Sequence, residues 1–234
     1  MAAEYRLFQL ISPSLPVGAF SYSQGLEWAI ETGWVDSEST LKAWLVSLAI
    51  DSLQQLELPV LRRVYAALKA GDIADARHWC DWLYASRETK ELRREEHQRA
   101  RTMLKLIQQL TAVGADTVIG IKNVAGENAE LGSVLATSQV AGFALAGVTW
   151  EIEEETLCHG YAWSWLENCV MAGVKMVPLG QTTGQRVLMA VSDILQDVVE
   201  ASRFVADEQV GSFAPAQAIA SSCHETQYSR LFRS

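Results

Sequence analysis

The stretch GQRVLMAVSDILQDVVEASRFV, residues 184–205, decides the fold class. Its apolar residues Val187, Val191, Ile194 and Val198 recur at spacings of four, three and four, which is the period of one face of an α-helix. The rest of the chain is rich in helix-favouring residues, and the alternation typical of strands is nearly absent. We predict a single all-α domain, a helical bundle of roughly eight to ten helices without significant sheet.

Residues typical of helix starts and ends give the boundaries of the other predicted helices. Ser37 or Ser39 is suited to an N-cap, Pro59 to a first helical turn, Gly71 to a helix end and Asp72 to the next N-cap. Residues 111–127, with three glycines, are either a loop or a broken helix that joins two halves of the bundle. The remaining predicted helices are 4–11, 19–32, 37–56, 58–70, 72–86, 131–150 and 153–177.

The segment 85–106 is unusually charged. From Arg87 to Arg101 its apolar residues are Leu92 and Ala100, so its first turns have almost no core-facing side. We therefore expect this helix to begin in solvent, with its charges paired along the helix at i,i+4, and to end in the core. The alternative is that the charged turns form a docking surface.

Composition narrows the function classes. A net charge of −9 argues against a nucleic-acid partner, because affinity for phosphates comes from clustered Lys and Arg. Residues 131–150 carry no charge, but their polar residues and glycines favour a buried central helix over a membrane span. A signal peptide has a basic region, then an apolar region, then small residues, and Glu4 and Arg6 do not fit this order. We therefore expect a cytoplasmic protein.

The sequence lacks the known arrangements for catalysis. No serine stands in the G-x-S-x-G setting of a nucleophile elbow, and PLGQTTGQR, residues 178–186, lacks the lysine that a phosphate-binding loop requires. We predict that the chain is not an enzyme.

Histidines and cysteines leave a metal site open. Cys158 is followed by His159, and Cys223 by His224, and these are ligand types suited to nickel or zinc. Neighbouring residues on a helix point about 100° apart, so neither pair chelates alone. A site would need residues brought together by folding or dimerisation, and the candidate metal ligands are His224, Cys223 and His159.

Four segments resemble, in the same order, those of one family, the urease accessory protein UreF family. They are LFQLISPSLPVGAFSYSQGLEWAIETGWV (7–35), ASRETKELRREEHQRARTML (85–104), PLGQTTGQRVL (178–188) and HETQYSRLFRS (224–234). The first and last are specific, whereas the second alone would be weak.

The resemblance implies an all-helical, non-enzymatic chaperone required for nickel insertion and maturation of the urease metallocentre. It implies a homodimer that binds the accessory protein UreD (also called UreH), recruits the GTPase UreG and acts on apo-urease. It also implies that no cofactor is firmly bound and that nickel is the cargo of the complex. The alternative is a transient nickel carrier that uses His and Cys residues across a dimer.

Two sets of partner-binding residues follow. We divide the chain into an all-helical domain, 1–222, and a tail, 223–234, that is expected to be loosely ordered alone and to fold onto the UreD-type partner; the alternative is a tail that packs back on its own domain. The opening segment is the first of the four quoted, residues 7–35. In it, Tyr22, Gln24 and Glu27 are predicted to face a dimer or partner surface, or else to be polar groups in helix packing. The tail residues predicted to bind are His224, Glu225, Tyr228, Arg230, Leu231, Phe232 and Arg233.

Overall fold

The computed structural model describes residues 2–112 and 129–233, and this part of the chain is helical without a strand. The predicted all-α class is confirmed. Most of the stretch 111–127 lies outside the described residues. The helices are α1 Ala2–Ile11, α2 Leu26–Glu31, α3 Glu38–Leu48, a π-helix Ala49–Glu57, α4 Leu58–Ala70, α5 Ile73–Ala85, α6 Lys90–Ala112, α7 Ala129–Leu135, α8 Gln139–Thr149, α9 Glu154–Met176, α10 Gln181–Ser202 and α11 Pro215–His224, with 3-10 turns at Ala19–Ser21 and Asp207–Gln209.

The core is built around α8, of which every residue is buried. It packs against α4, α6 and α9, and α9 in turn packs against α10. The predicted central helix 131–150 is instead two helices, α7 and α8. The Ser138 side chain accepts from the N–H of Val140 and so caps the start of α8. Among the described residues, no helix combines the length and the apolar character that crossing a membrane requires.

Several predicted boundaries are present. Ser37 caps α3 and accepts from the N–H of Thr40, and Asp72 caps α5 and accepts from the N–H of Asp75. Gly71 ends α4 in the left-handed conformation, with φ 75°. On α10, the predicted stripe faces the core, with Val187, Val191 and Val198 buried and Ile194 half-buried against it.

The predicted helix 19–32 is wrong in its first half. Gln24 and Gly25 have φ values of 54° and 85°, and left-handed residues interrupt a right-handed helix. Gly25 also lies close to α11, since a Cβ there would be 2.8 Å from the backbone nitrogen of Ser221. The segment therefore turns before α2 to make room for α11.

The predicted helix 37–56 changes its winding at Ala49 and continues as a π-helix. Two of its carbonyls also accept hydrogen bonds from a later segment: Asp51 from the N–H of Phe213 at 3.1 Å and Gln55 from the N–H of Gly211 at 3.0 Å. This fixes the connection between α10 and α11, residues 203–214, along the side of the π-helix.

The expectation that residues 85–106 begin in solvent is also wrong. Arg87 and Glu96 are 6% and 2% exposed, and Glu91 and Glu95 are buried as well. Charged side chains are buried at low cost only when they are paired, and the partners here come from other elements. Arg99 does pair with Glu95, at 2.8 Å, as the i,i+4 spacing predicted.

The centre of this buried network is Arg87. Its guanidinium lies 2.7 Å from Glu57 and 3.0 Å from Glu96. Burial acts to lower the pKa of Arg87, but the charges of Glu57 and Glu96 outweigh it and raise the pKa above its ordinary value. Glu96 also accepts from the Ser138 hydroxyl and the N–H of Gln139, at 2.8 and 2.9 Å. The charged segment therefore ties the π-helix to the start of α8.

Candidate partner-binding site

The tail lies on its own domain, against α2 and α6. The helix α11 ends at His224, so the predicted division between residues 222 and 223 falls inside a helix. The placement corresponds to the alternative of a tail that packs back, and not to a loosely ordered one. Whether the tail also binds a partner stays a prediction.

Glu27, in the first turn of α2, is the main acceptor for the tail. It is buried, and its carboxylate accepts from the backbone N–H groups of Leu231 at 2.5 Å and Phe232 at 2.9 Å. The Nε2 atom of His224 lies 3.1 Å from the same carboxylate. A carboxylate with several donors is well compensated for burial, so Glu27 fixes the backbone of the tail.

Glu91, in the first turn of α6, is the second acceptor. It lies 2.7 Å from Nδ1 of His224 and 2.8 Å from the guanidinium of Arg230. His224 is 0% exposed and stands between the carboxylates of Glu27 and Glu91. An imidazolium donates to both of these carboxylates, whereas a neutral ring donates to one.

Glu225 caps α6 from outside that helix. Its carboxylate accepts from the backbone N–H groups of Lys90 at 2.8 Å and Glu91 at 3.3 Å. These are among the N–H groups that a helix start leaves without an internal partner, and a negative charge there is favoured by the helix dipole. The start of α6 is therefore completed by the tail.

Tyr22 and Gln24 lie beside the same segment. Gln24 donates to Glu95 at 2.9 Å, and the N–H of Arg233 donates to the carbonyl of Ser21 at 2.8 Å. Burial, and then the Glu95 carboxylate, raise the pKa of Tyr22, while a hydrogen bond with the Arg233 side chain acts in the opposite direction. The structure thus brings the two predicted sets of residues together, and they face each other.

The outer side of the tail is exposed. Tyr228 is fully exposed, Leu231 is 69% exposed, and the Arg230 side chain is partly accessible. Phe232 points the other way, into the core, with the ammonium of Lys175 5.9 Å from its ring centre. The tail therefore presents aromatic, aliphatic and cationic groups to solvent. Its backbone is fixed by hydrogen bonds to the buried carboxylate of Glu27.

The metal candidates have other surroundings. The ring nitrogens of His224 face carboxylates, Cys223 is a half-buried free thiol, and His159 is an accessible side chain on α9 whose Nε2 lies 4.0 Å from Glu155. Within residues 2–112 and 129–233, no group of three or more His, Cys, Asp or Glu side chains is arranged to hold a metal ion. A site shared between two subunits stays a prediction.

Sequence reasoning missed the acidic residues of α6 that complete the site. The sequence predicts Glu91 and Glu95 as solvated charges, yet Glu91 is buried against the tail and Glu95 against Gln24. One signal was available. Like charges at i,i+4 oppose each other on a helix, which indicates cationic partners from elsewhere in the chain.

Comparison with known proteins agrees with the four quoted segments. The UreF family model matches residues 35–192. A urease accessory protein UreF of Alcanivorax borkumensis is 47% identical over 233 residues, with 100% of this chain and 99% of the relative covered. Proteins of the same name from Pseudomonas putida and Alkalilimnicola ehrlichii are 44% and 39% identical, with 98% and 99% of this chain and 96% of each relative covered.

The chain belongs to the UreF family. The predicted resemblance is therefore confirmed. The UreF family model leaves out the opening segment and the tail, but the alignment with the Alcanivorax borkumensis UreF covers the whole chain and so includes both.

Proposed function

We propose that the chain is a urease accessory protein that acts as an adaptor in maturation of the urease metallocentre. In this proposal it works in the cytoplasm as a homodimer, binds a UreD/UreH-type protein, recruits the GTPase UreG and brings both to apo-urease for nickel insertion. Nickel is the cargo of the complex and not a resident cofactor, and the chain itself makes and breaks no bonds.

The observation that carries the proposal is the similarity over the whole chain to proteins named urease accessory protein UreF. The tail supports the adaptor role. Aromatic and Arg side chains are enriched among the residues that contribute most to protein interfaces, and the tail presents Tyr228 and Arg230 on its outer side. A backbone that is already fixed loses less conformational freedom on binding.

The test separates partner binding from stability. Deleting residues 224–234 would leave Glu27 and Glu91 buried without their donors, so a loss of binding would be hard to interpret. Tyr228→Ala and Leu231→Ala remove only exposed groups. We expect the double variant to bind the purified UreD/UreH-type protein at least about tenfold more weakly in calorimetric titration, about 1.4 kcal/mol, with an unchanged melting temperature.

Tyr5→Ala is the matched control, because Tyr5 is also an exposed aromatic residue but lies on α1 and not on the tail. It should leave the affinity unchanged. Wild-type affinity in the Tyr228/Leu231 variant would contradict docking through the tail. Normal urease activity in cells that lack the chain would contradict the proposed function itself.

A further inference from the structure

A groove lies between the α3–π-helix junction and the start of α11. It has a volume of about 240 Å³, and its apolar walls are formed by Trp44 and Leu48 on one side and by Phe213 and Pro215 on the other. None of these residues belongs to the tail or contacts it through a described hydrogen bond. The groove is therefore separate from the candidate site above.

Hydrogen bonds hold the backbone at Phe213 in place, although its side chain is 81% exposed. The N–H groups of Phe213 and Gly211 donate to the π-helix, as described above. Nearby, the indole N–H of Trp82 donates to the carbonyl of Val210 at 2.9 Å, and Arg63 donates to the carbonyl of Val205 at 2.8 Å. Because the backbone beside Phe213 is already fixed, less conformational freedom is lost when its side chain binds a partner.

The charge of the groove indicates what it binds. Its lining has no Lys, Arg or His, and its one charged residue is Asp51. The Asp51 carboxylate accepts from the Ser47 hydroxyl at 3.0 Å, and within the described ranges no cationic side chain forms an ion pair with it. Ser212, which precedes Phe213 in the chain, donates to a second carboxylate, that of Glu88, at 3.4 Å. The electrostatic complement of this surface is a cation.

We propose that this groove binds a segment of a partner protein in which an apolar side chain stands next to a Lys or Arg. The apolar side chain inserts between Trp44 and Phe213, and the cation pairs with Asp51. The inference rests on the proposed function only in that the chain works within a complex of proteins.

Photo-crosslinking tests the proposal in the complete protein. The variant Phe213→p-benzoylphenylalanine is expressed with the urease subunits and the other accessory proteins, irradiated, and the crosslinked peptide is sequenced by mass spectrometry. We expect a crosslink to another protein of the complex, at an apolar residue with Lys or Arg within about four positions. The same replacement at Met189, exposed on α10, is the matched control and should give no such product.

Two further variants test the chemistry of the groove. Asp51→Lys places like charges together and should lower the crosslink yield at Phe213 at least about tenfold, and raising the salt from about 0.1 to about 0.5 M should lower it several-fold. Asp51→Asn should lower the yield less, because it removes the attraction without adding repulsion. An equal yield in Asp51→Lys would overturn the proposal.

The remaining outcomes are also decisive. A crosslink only to a second copy of this chain, or to a segment without Lys or Arg, would overturn the proposed occupant. Copurification of the complex without a crosslink at position 213 would overturn the inference and leave the proposed function intact. Absence of any complex would remove both.

Discussion

Two buried regions of the molecule differ sharply in composition. The helix α8 is apolar along nearly its whole length and every residue in it is buried. Residues 87–96, which lead into α6 and form its first turns, contain Arg87, Glu91 and Glu96, which are also buried. The first region is buried because its side chains leave water favourably, and the second because its charges find partners that replace water.

The difference teaches where each kind of burial is encoded. The burial of α8 follows from its own residues, such as Phe143 and Leu145. The burial of Arg87, Glu91 and Glu96 follows from Glu57, Ser138 and His224, which belong to three other elements. The burial of an apolar helix can therefore be predicted from its own residues. The burial of a charged helix can be predicted only when its partners are known.

The largest expected effect comes from removing the central cation. Arg87→Met leaves Glu57 and Glu96 buried without their ion pair, and we expect the free energy of unfolding to fall by about 3–5 kcal/mol. Denaturant unfolding followed by circular dichroism measures this. The triple variant Arg87→Met, Glu57→Gln, Glu96→Gln should recover at least about 1 kcal/mol of the loss, because no uncompensated charge remains.

Leu145→Ala in α8 is the control for this comparison. It should cost about 2–5 kcal/mol through lost packing, and adding the two Gln substitutions should give no recovery. If the triple variant were no more stable than Arg87→Met alone, shape and not charge would explain the burial of Arg87 and Glu96.

A smaller effect is expected where the charged segment meets the tail. Glu91→Gln keeps one acceptor but loses the charge that faces His224 and Arg230, and we expect a loss of about 1–3 kcal/mol. Amide hydrogen exchange should rise in residues 224–233 and remain unchanged in α8. Glu200→Gln, an exposed change on α10, should stay within about 0.5 kcal/mol of the unmodified protein. Equal exchange in the tail would contradict the role of Glu91.

The smallest effect is expected at the helix cap. Glu225→Ala removes the acceptor for the N–H groups of Lys90 and Glu91, and should cost about 1 kcal/mol, as other helix caps do. Glu225→Gln retains an acceptor oxygen and should recover part of the loss. A melting temperature for Glu225→Ala equal to that of the unmodified chain would show that water satisfies the start of α6 equally well.

Much of the fold was accessible from the sequence because its signals are local. The apolar stripe of α10 and the caps Ser37 and Asp72 depend on residues within a few positions. The break at Gln24 and Gly25 was not accessible from the sequence, because the apolar residues around it suit a helix. Its cause is the close approach of Ser221 of α11 to Gly25.

The candidate site was predicted in its parts but not in its assembly. Tyr22, Gln24 and Glu27 and the residues of the tail were proposed separately as binding residues. Their mutual contact joins positions about 200 residues apart, such as Glu27 and Leu231, and no periodicity reports such a pair. The like charges of Glu91 and Glu95 at i,i+4 could have indicated it, since they oppose each other on a helix unless donors from elsewhere compensate them.

The contacts of the Glu27 and Glu91 carboxylates with the tail have a consequence for biosynthesis. Both carboxylates leave the ribosome long before His224 and Arg230 are made, so water has to solvate them while the intervening helices collapse. The opening segment and α6 therefore reach their final environment only when residue 232 emerges. A chain that lacks residues 224–232 therefore leaves the Glu27 and Glu91 carboxylates in water, without the donors that accompany their burial in the folded chain.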